Sequence, residues 1–211
     1  MKITKLGHCC LFVEINGVRI MTDPGMFSTA QNEVKNIDII LITHEHGDHL
    51  HVDSLKTVLK NNPKAKVITN RGVGKILEQE GILYELLEDG QNKTILGVLL
   101  EGFGEKHAEI YQEFGQVMNT GYFIAERLFY PGDALTNPEK PVEILALPVA
   151  GSWVKVSEAV EYARRIKPKV AFPVHDAIIS YRKPYYGAHE HFLPLEGISF
   201  VVIAEGETKE F

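Results

Sequence analysis

Residues 43–51 read THEHGDHLH, with four histidines, one aspartate and one glutamate in nine positions. IDIILIT (37–43) leads into this stretch. After Asp38, that isoleucine-rich run is continuously apolar up to Thr43 and has the composition of a strand buried on both faces. HVDSLKTVLKNNP follows, and its Val52, Leu55, Val58 and Leu59 fall on one helical face. Asp53 or Ser54 is placed to cap the start of that helix, and Asn62-Pro63 ends it. The polar cluster therefore sits where a buried strand stops and a helix is about to begin. Irregular backbone there can turn neighbouring side chains inward together, which a straight strand cannot do because its side chains alternate between faces.

The remaining segments extend this pattern. KITKL, CLFVEI and VRIMT read as strands, with Asn16-Gly17 as a hairpin turn between the last two. KAKVIT is a further strand, and NRGVGKILEQEG is a short helix with Asn70 as cap and Gly81 at its stop. ILYELL, KTILGVLL, GYFIAER and LFYP are strand-like, and 101–120 is a polar, glycine-containing loop. EILALPV, KVAFPV and ISFVVIAEG are expected strands around the helix VSEAVEYARRIKP, which turns Val156, Ala159, Val160, Ala163 and Ile166 inward. YRKPYYGAHEHF (181–192) reads as a C-terminal loop. Strands followed by mixed strands and helices, repeated roughly once, predict two sheets with helices outside: an α/β, four-layer αββα sandwich. No linker or repeat divides the 211 residues, so 1–211 is expected to be a single domain.

Composition narrows the partners. A net charge of −6 argues against a broad nucleic-acid-binding surface. No stretch approaches the ~20 apolar residues of a membrane span, and the N-terminus lacks a signal-peptide pattern. The two cysteines, Cys9 and Cys10, are adjacent. Neighbours rarely close an unstrained disulfide, so they are expected as reduced thiols packed in a strand, consistent with a cytoplasmic protein. A small-molecule substrate is expected, and the composition is compatible with a homo-oligomer.

H-x-H-x-D-H, residues 44–49, carries the chemistry. Neutral imidazole and carboxylate are ligands for zinc, manganese or iron. One catalytic ion takes three or four protein ligands and keeps a position open. His44, His46, Asp48 and His49 cannot easily all reach one ion, so two neighbouring divalent ions are expected. Further ligands lie at comparable places: Asp133 in LFYPGDAL and His175 in VAFPVHDA after apolar strands, and His107 in GEKHAEIY within the polar loop. Asp23 in MTDPG is expected to accept the free N–H of a ligand imidazole and fix its tautomer. His8, beside Gly7, is a candidate to contact substrate. Trp153 is expected at the pocket mouth or in the core. His51, His189 and His191 are expected to be solvated or packing residues, and Glu45 has no assigned role. Lys155, Arg182 and Lys183 either bind an anionic substrate or are simply solvated. There is no nucleophile elbow, phosphate-binding loop or dinucleotide fingerprint.

THEHGDH, a later loop histidine, PGDA and PVHD, in that order, resemble the metallo-β-lactamase fold superfamily over nearly the whole chain. GHCCLFVEINGVRIMTDPG is similar to the branch that contains L-ascorbate-6-phosphate lactonase and many uncharacterised metal-dependent hydrolases. DHLH lacks the two glycines that commonly follow the motif in the glyoxalase II and lactamase branches. The resemblance implies that His44, His46 and His107 hold one ion, that Asp48, His49 and His175 hold the other, and that Asp133 bridges them. Zinc is the first expectation because histidine dominates, with manganese or iron as the alternatives. The expected activity is a metal-dependent hydrolase cleaving an ester-type bond, a lactone or phosphoester, with an activated hydroxide. Asp48 or Asp133 would orient the nucleophile, and His8 would steady the transition-state oxygen. The competing readings are an RNA- or phosphodiester-processing nuclease, a di-iron redox enzyme and a non-catalytic metal-binding scaffold.

Overall fold

Successive residues of the strands bury in opposite directions, and this alternation builds the layers. The computed structural model describes residues 1–211. The chain begins with β1 (Lys2–Gly7), β2 (Cys10–Ile15), β3 (Val18–Thr22), β4 (Ile39–Ile42), α1 (Val52–Asn61), β5 (Lys66–Thr69), α2 (Arg71–Gln79) and β6 (Glu85–Leu86). It continues through β7 (Asn92–Ile95), β8 (Val98–Phe103), β9 (Gly121–Ile124), β10 (Leu128–Tyr130), β11 (Ile144–Pro148), α3 (Val156–Ile166) and β12 (Val170–Val174). It ends with α4 (Arg182–Phe192), β13 (Ser199–Phe200) and β14 (Thr208–Glu210). Two seven-stranded sheets result, in the orders β14-β1-β2-β3-β4-β5-β6 and β13-β12-β11-β10-β9-β8-β7.

In β4, Ile39 and Leu41 join the core between the sheets, whereas Ile40 and Ile42 face outward under the helices. Tyr130, Ile144, Ala146 and Phe172 meet the first group from the opposite sheet. On the outside of the first sheet, Leu55 and Val58 of α1 and Val73 and Leu77 of α2 cover Ile40 and Ile42. On the outside of the second, Ala159, Val160, Ala163 and Ile166 of α3 and Tyr186 of α4 cover Phe129, Leu145 and Leu147. These layers are the expected αββα sandwich.

Asn16 and Gly17 form the predicted hairpin turn with φ of 52° and 81°, the left-handed pair that a two-residue turn of this kind requires. Other local expectations need correction. Residues 181–192 are mostly helix, because burial of Tyr186 and His189 on one face of α4 overrides an unpromising Pro-Tyr-Tyr-Gly sequence. Pro184 falls in the first turn, where its missing N–H does no harm. ISFVVIAEG pairs only at Ser199–Phe200, since β13 lies at a sheet edge with β12 as its single neighbour. ILYELL pairs only at Glu85–Leu86. The polar loop starts after Phe103 because Glu101–Phe103 still pair with β9. α1 starts at Val52 with His51 at the capping position, before the expected Asp53 or Ser54, and His51 Nδ1 lies 2.9 Å from Ser54 Oγ. Cys9 lies in the tight His8-Cys9 turn rather than in a strand.

β3, β4 and β5 run parallel to one another, as do β10, β11 and β12. The clustered polar residues follow the carboxyl ends of these strands, the usual place for a site in sheets with parallel strands. One buried ion pair ties the two sheets beside them. Lys5 Nζ of β1 donates to both oxygens of Asp176, at 2.7 and 2.6 Å, and to Pro173 O at 2.9 Å. Tyr186 Oη also donates to Asp176.

Candidate metal centre

The 44–51 segment is held from beneath by the loop after β3. Met26 N donates to Gly47 O at 2.9 Å and His51 N to Pro24 O at 3.2 Å. Gly25 is required by this contact, since a Cβ there would stand 1.8 Å from Asp48 O. Within the segment His49 N and Leu50 N both donate to His46 O, at 2.9 and 2.8 Å, forming a tight turn. That turn brings His44, His46, Asp48 and His49 to the same side. Asp133 is fixed in a similar manner: Asn119 Oδ1 accepts from Asp133 N at 3.0 Å, and Asn119 Nδ2 donates to Pro131 O at 2.9 Å.

The side chains converge on Asp133. Its Oδ2 lies 3.8 Å from His44 Nε2, 3.4 Å from His107 Nε2 and 2.9 Å from His175 Nε2, and its Oδ1 lies 3.1 Å from His49 Nε2. Asp48 Oδ2 is 3.3 Å from His175 Nε2 and 3.9 Å from His49 Nε2. Donor atoms lie within 4.8 Å of one another in three groups: His44, His46 and His107; His8, Asp48, His49 and His175; and Cys9, His49 and Asp133. All seven expected ligands thus meet in one place.

The hydrogen bonds around the rings determine where their lone pairs point. Asp23 Oδ2 accepts from Thr43 Oγ1 at 2.7 Å, from Tyr130 Oη at 2.5 Å and from His49 Nδ1 at 2.7 Å. Asp23 Oδ1 accepts from Thr43 N at 2.8 Å. Because the Thr43 hydroxyl proton is committed to Asp23, Thr43 Oγ1 accepts from His44 Nδ1, 3.0 Å away. His107 Nδ1 donates to Ala108 O at 2.5 Å. In His44, His49 and His107 the proton is therefore on Nδ1, and the lone pair of Nε2 faces Asp133. Those three Nε2 atoms, both ring nitrogens of His175 and Asp133 Oδ1 are buried without a hydrogen-bond partner. Buried polar atoms are rarely left so. A cluster of unpaired imidazole nitrogens beside carboxylates fits divalent metal ions.

Electrostatics separate the rings: burial would lower His49 and His175, but Asp133 raises both well above the usual imidazole range, so an ion binding there displaces their protons. Burial, followed by the neighbouring His49 ring, holds His44 well below the usual imidazole range. Burial and then His107 lower His46. Neutral imidazole is the ligating form. Asp133 lies well below the usual carboxylate range: burial opposes its ionisation, but the His49 and His175 rings outweigh it. Asp48 is also lowered, because hydrogen bonds from His175 and His8 overcome burial. Burial likewise disfavours the Cys9 thiolate, yet the rings of His8, His49 and His175 bring this thiol down to about 6.

His8 sits at the edge of the cluster. Ala177 N donates to His8 Nδ1 at 3.2 Å, which places the ring proton of the neutral form on Nε2, 3.2 Å from Asp48 Oδ2. His8, Asp23 and His175 all have left-handed backbone, with φ of 42°, 34° and 59°. Such conformations cost about 1–3 kcal/mol each and concentrate at functional sites.

Several partners were invisible to sequence reasoning. Trp153 Nε1 donates to Asp133 Oδ2 at 2.9 Å, so this indole is a buried partner of the central carboxylate. Thr43, Tyr130 and Asn119 complete the scaffold; their only sequence signal is a polar atom in an otherwise apolar setting. His189 is buried in α4, where its Nδ1 donates to Tyr185 O and its ring stacks on Phe200. His191, Lys155, Arg182 and Lys183 are exposed. Apolar side chains are exposed at Met26 and Phe27, Tyr111 and Phe114, and Ile178 and Tyr181, and the Phe27 ring meets that of His8 edge-on at 5.2 Å.

Asp23→Asn is expected to weaken metal binding about 10–100-fold, the usual effect of losing an outer partner of a ligand imidazole. Either amide orientation turns an NH2 group towards at least one donor. Competition against a chromophoric chelator measures the effect, and unchanged affinity would show that Asp23 does not orient His49.

An αββα sandwich with histidine and carboxylate donors gathered at its parallel strand ends defines a metal-dependent class of protein. The chain belongs to the beta-lactamase superfamily, whose domain matches residues 2–175. It is 36% identical over 194 residues to Protein Rv0786c of Mycobacterium tuberculosis, covering 89% of this chain and 90% of that one. It is 31% identical over 192 residues to a UPF0173 metal-dependent hydrolase of Alkaliphilus metalliredigens, covering 83% and 85%. The fold is also that of Igni18, a metallo hydrolase from Ignicoccus hospitalis, with a TM-score of 0.79, 22% identity and coverage of 100% and 98%. No helix is long and apolar enough to cross a membrane.

Proposed function

We propose that this metal-dependent hydrolase works with two divalent ions, zinc in the first place, on an ester-type bond of a small molecule, a lactone or a phosphoester. His44, His46 and His107 would hold one ion, Asp48, His49 and His175 the other, and Asp133 would serve both. One observation carries this reading: Asp133 stands 2.9–3.8 Å from ring nitrogens belonging to both ligand groups. When bound, such ions make hydroxide available near neutral pH, from a water whose free pKa is about 15.7, and polarise the substrate oxygen.

The protein's own groups do the rest. His8 Nε2–H, which donates to Asp48 Oδ2 in this structure, would turn to the oxygen gaining negative charge. Asp48 is a carboxylate of the cluster with a partly exposed side chain, 20% accessible, so it can orient the nucleophile. Trp153 fixes Asp133 Oδ2 and thereby the spacing between the two ligand groups. Phe27, half exposed and edge-on to the His8 ring at 5.2 Å, favours a substrate with an uncharged face. The lactone preference rests on the resemblance of the N-terminal segment to the lactonase-containing branch.

Metal analysis of the purified protein, coupled to a panel of lactones, phosphodiesters and thioesters, tests the reading. Two equivalents of zinc and turnover of a lactone or small phosphoester are expected. Turnover confined to RNA would replace it with a nuclease, and an iron-loaded, oxygen-consuming protein with no hydrolysis would replace it with a redox enzyme.

A further inference from the structure

Cys9 and Cys10 are neighbours, but they look in opposite directions. Cys10 begins β2 and packs outward with Leu6, Ile42 and Leu55 under the helices. Cys9 faces the interior between the sheets, 1% exposed. Its backbone is held there, since Cys9 O accepts from Thr22 Oγ1 at 2.8 Å and lies 3.1 Å from Tyr130 Oη, whose proton goes to the nearer Asp23 Oδ2. Tyr130 and Thr43, through Asp23, fix His49, so the Tyr130 hydroxyl adjoins Cys9 and belongs to the network that holds this ring. The Cys9 sulfur, a nitrogen of His49 and an oxygen of Asp133 lie within 4.8 Å of one another. His49 Nε2 and Asp133 Oδ1 are themselves fully buried and have no hydrogen-bond partner. A soft donor thus shares the enclosed floor of the centre with two unpaired hard donors.

We infer that Cys9 is a thiolate ligand from the buried side to the ion held by Asp48, His49 and His175. This inference rests on the two-ion reading above. The thiol gives up its proton to solvent when the ion binds, as a ligating cysteine must. One half of the centre then has a sulfur donor and the other has only imidazole and carboxylate. Thiolate favours zinc over manganese, so Cys9 would make the two positions unequal in metal selectivity. Buried as it is, the sulfur occupies no position that water or substrate needs.

Cobalt(II) substitution tests this directly, using the whole chain. The chain has two cysteines, so any thiolate-to-cobalt charge-transfer band in the near ultraviolet arises from Cys9 or Cys10. The band is expected in the wild type, retained in Cys10→Ala and absent from Cys9→Ser and Cys9→Ala, while visible ligand-field bands report that cobalt is still bound. Loss of a direct ligand should weaken one of the two cobalt equivalents at least as much as loss of an outer partner does, about 10–100-fold. If a Cys9 variant fails to fold, the wild type and Cys10→Ala still decide the matter. Cobalt bound without a charge-transfer band, or a band that survives in Cys9→Ala, overturns the inference and leaves the two-ion reading intact. A protein that binds no cobalt at all overturns the two-ion reading itself.

Discussion

Asp133→Ala is expected to abolish measurable hydrolysis and to lower the bound metal from two equivalents to one or none. The carboxylate touches both ligand groups, so its removal takes a donor from each and leaves four imidazoles facing an empty volume. A loss of at least about 10³-fold in kcat/KM corresponds to ~4 kcal/mol of transition-state stabilisation. Asp133→Asn separates charge from shape: it keeps an oxygen able to accept from Trp153 Nε1 but removes the negative charge. Elemental analysis and kcat/KM measured on the same preparations check the prediction. Unchanged metal content and unchanged activity in Asp133→Ala would rule out a shared carboxylate.

Lys5→Met is expected to have the largest effect on stability. Lys5 and Asp176 are each 4% exposed at the side chain, and the ammonium lies 2.6 Å from the carboxylate. Removing the cation leaves a buried carboxylate with only the Tyr186 hydroxyl, and breaking such a pair costs about 3–5 kcal/mol. At about 2–4 °C per kcal/mol for a chain of this size, the melting temperature should fall by roughly 6–20 °C. The double variant Lys5→Met/Asp176→Leu should recover most of that loss, because no uncompensated charge remains. Denaturant titration of the single and double variants measures it. A single variant no less stable than the double would show that the pair is not coupled. The same variant should also loosen metal binding, since Asp176 follows His175 and Ala177 N donates to His8.

The legible part of the site was its donor chemistry. H-x-H-x-D-H after a buried strand, and Asp133 and His175 after two others, have the residue types that metal ions require, at places where a chain leaves a sheet. Asp23 was legible for the same reason, a carboxylate in a strand-end turn. Trp153, Tyr130, Asn119 and Cys9 were not. Each lies beside partners outside its own strand or turn, as with Tyr130 Oη and Asp23, 107 positions apart. Cys9 was expected only to pack, because alternation along a strand says which side a residue takes but not what stands across the gap. The helix at 182–192 was missed because its propensity is poor and its stability comes from packing on the second sheet.

The sequence by itself determined the layered α/β architecture, through the period of its apolar residues, and the chemical character of the centre, through its histidines and aspartates. Only the tertiary structure decided how closely the donors approach, which nitrogen of each ring keeps its lone pair and which buried side chains hold each donor in place. Those outcomes depend on side chains brought together from the ends of separate strands, and local sequence places no constraint on distances across the space between two sheets.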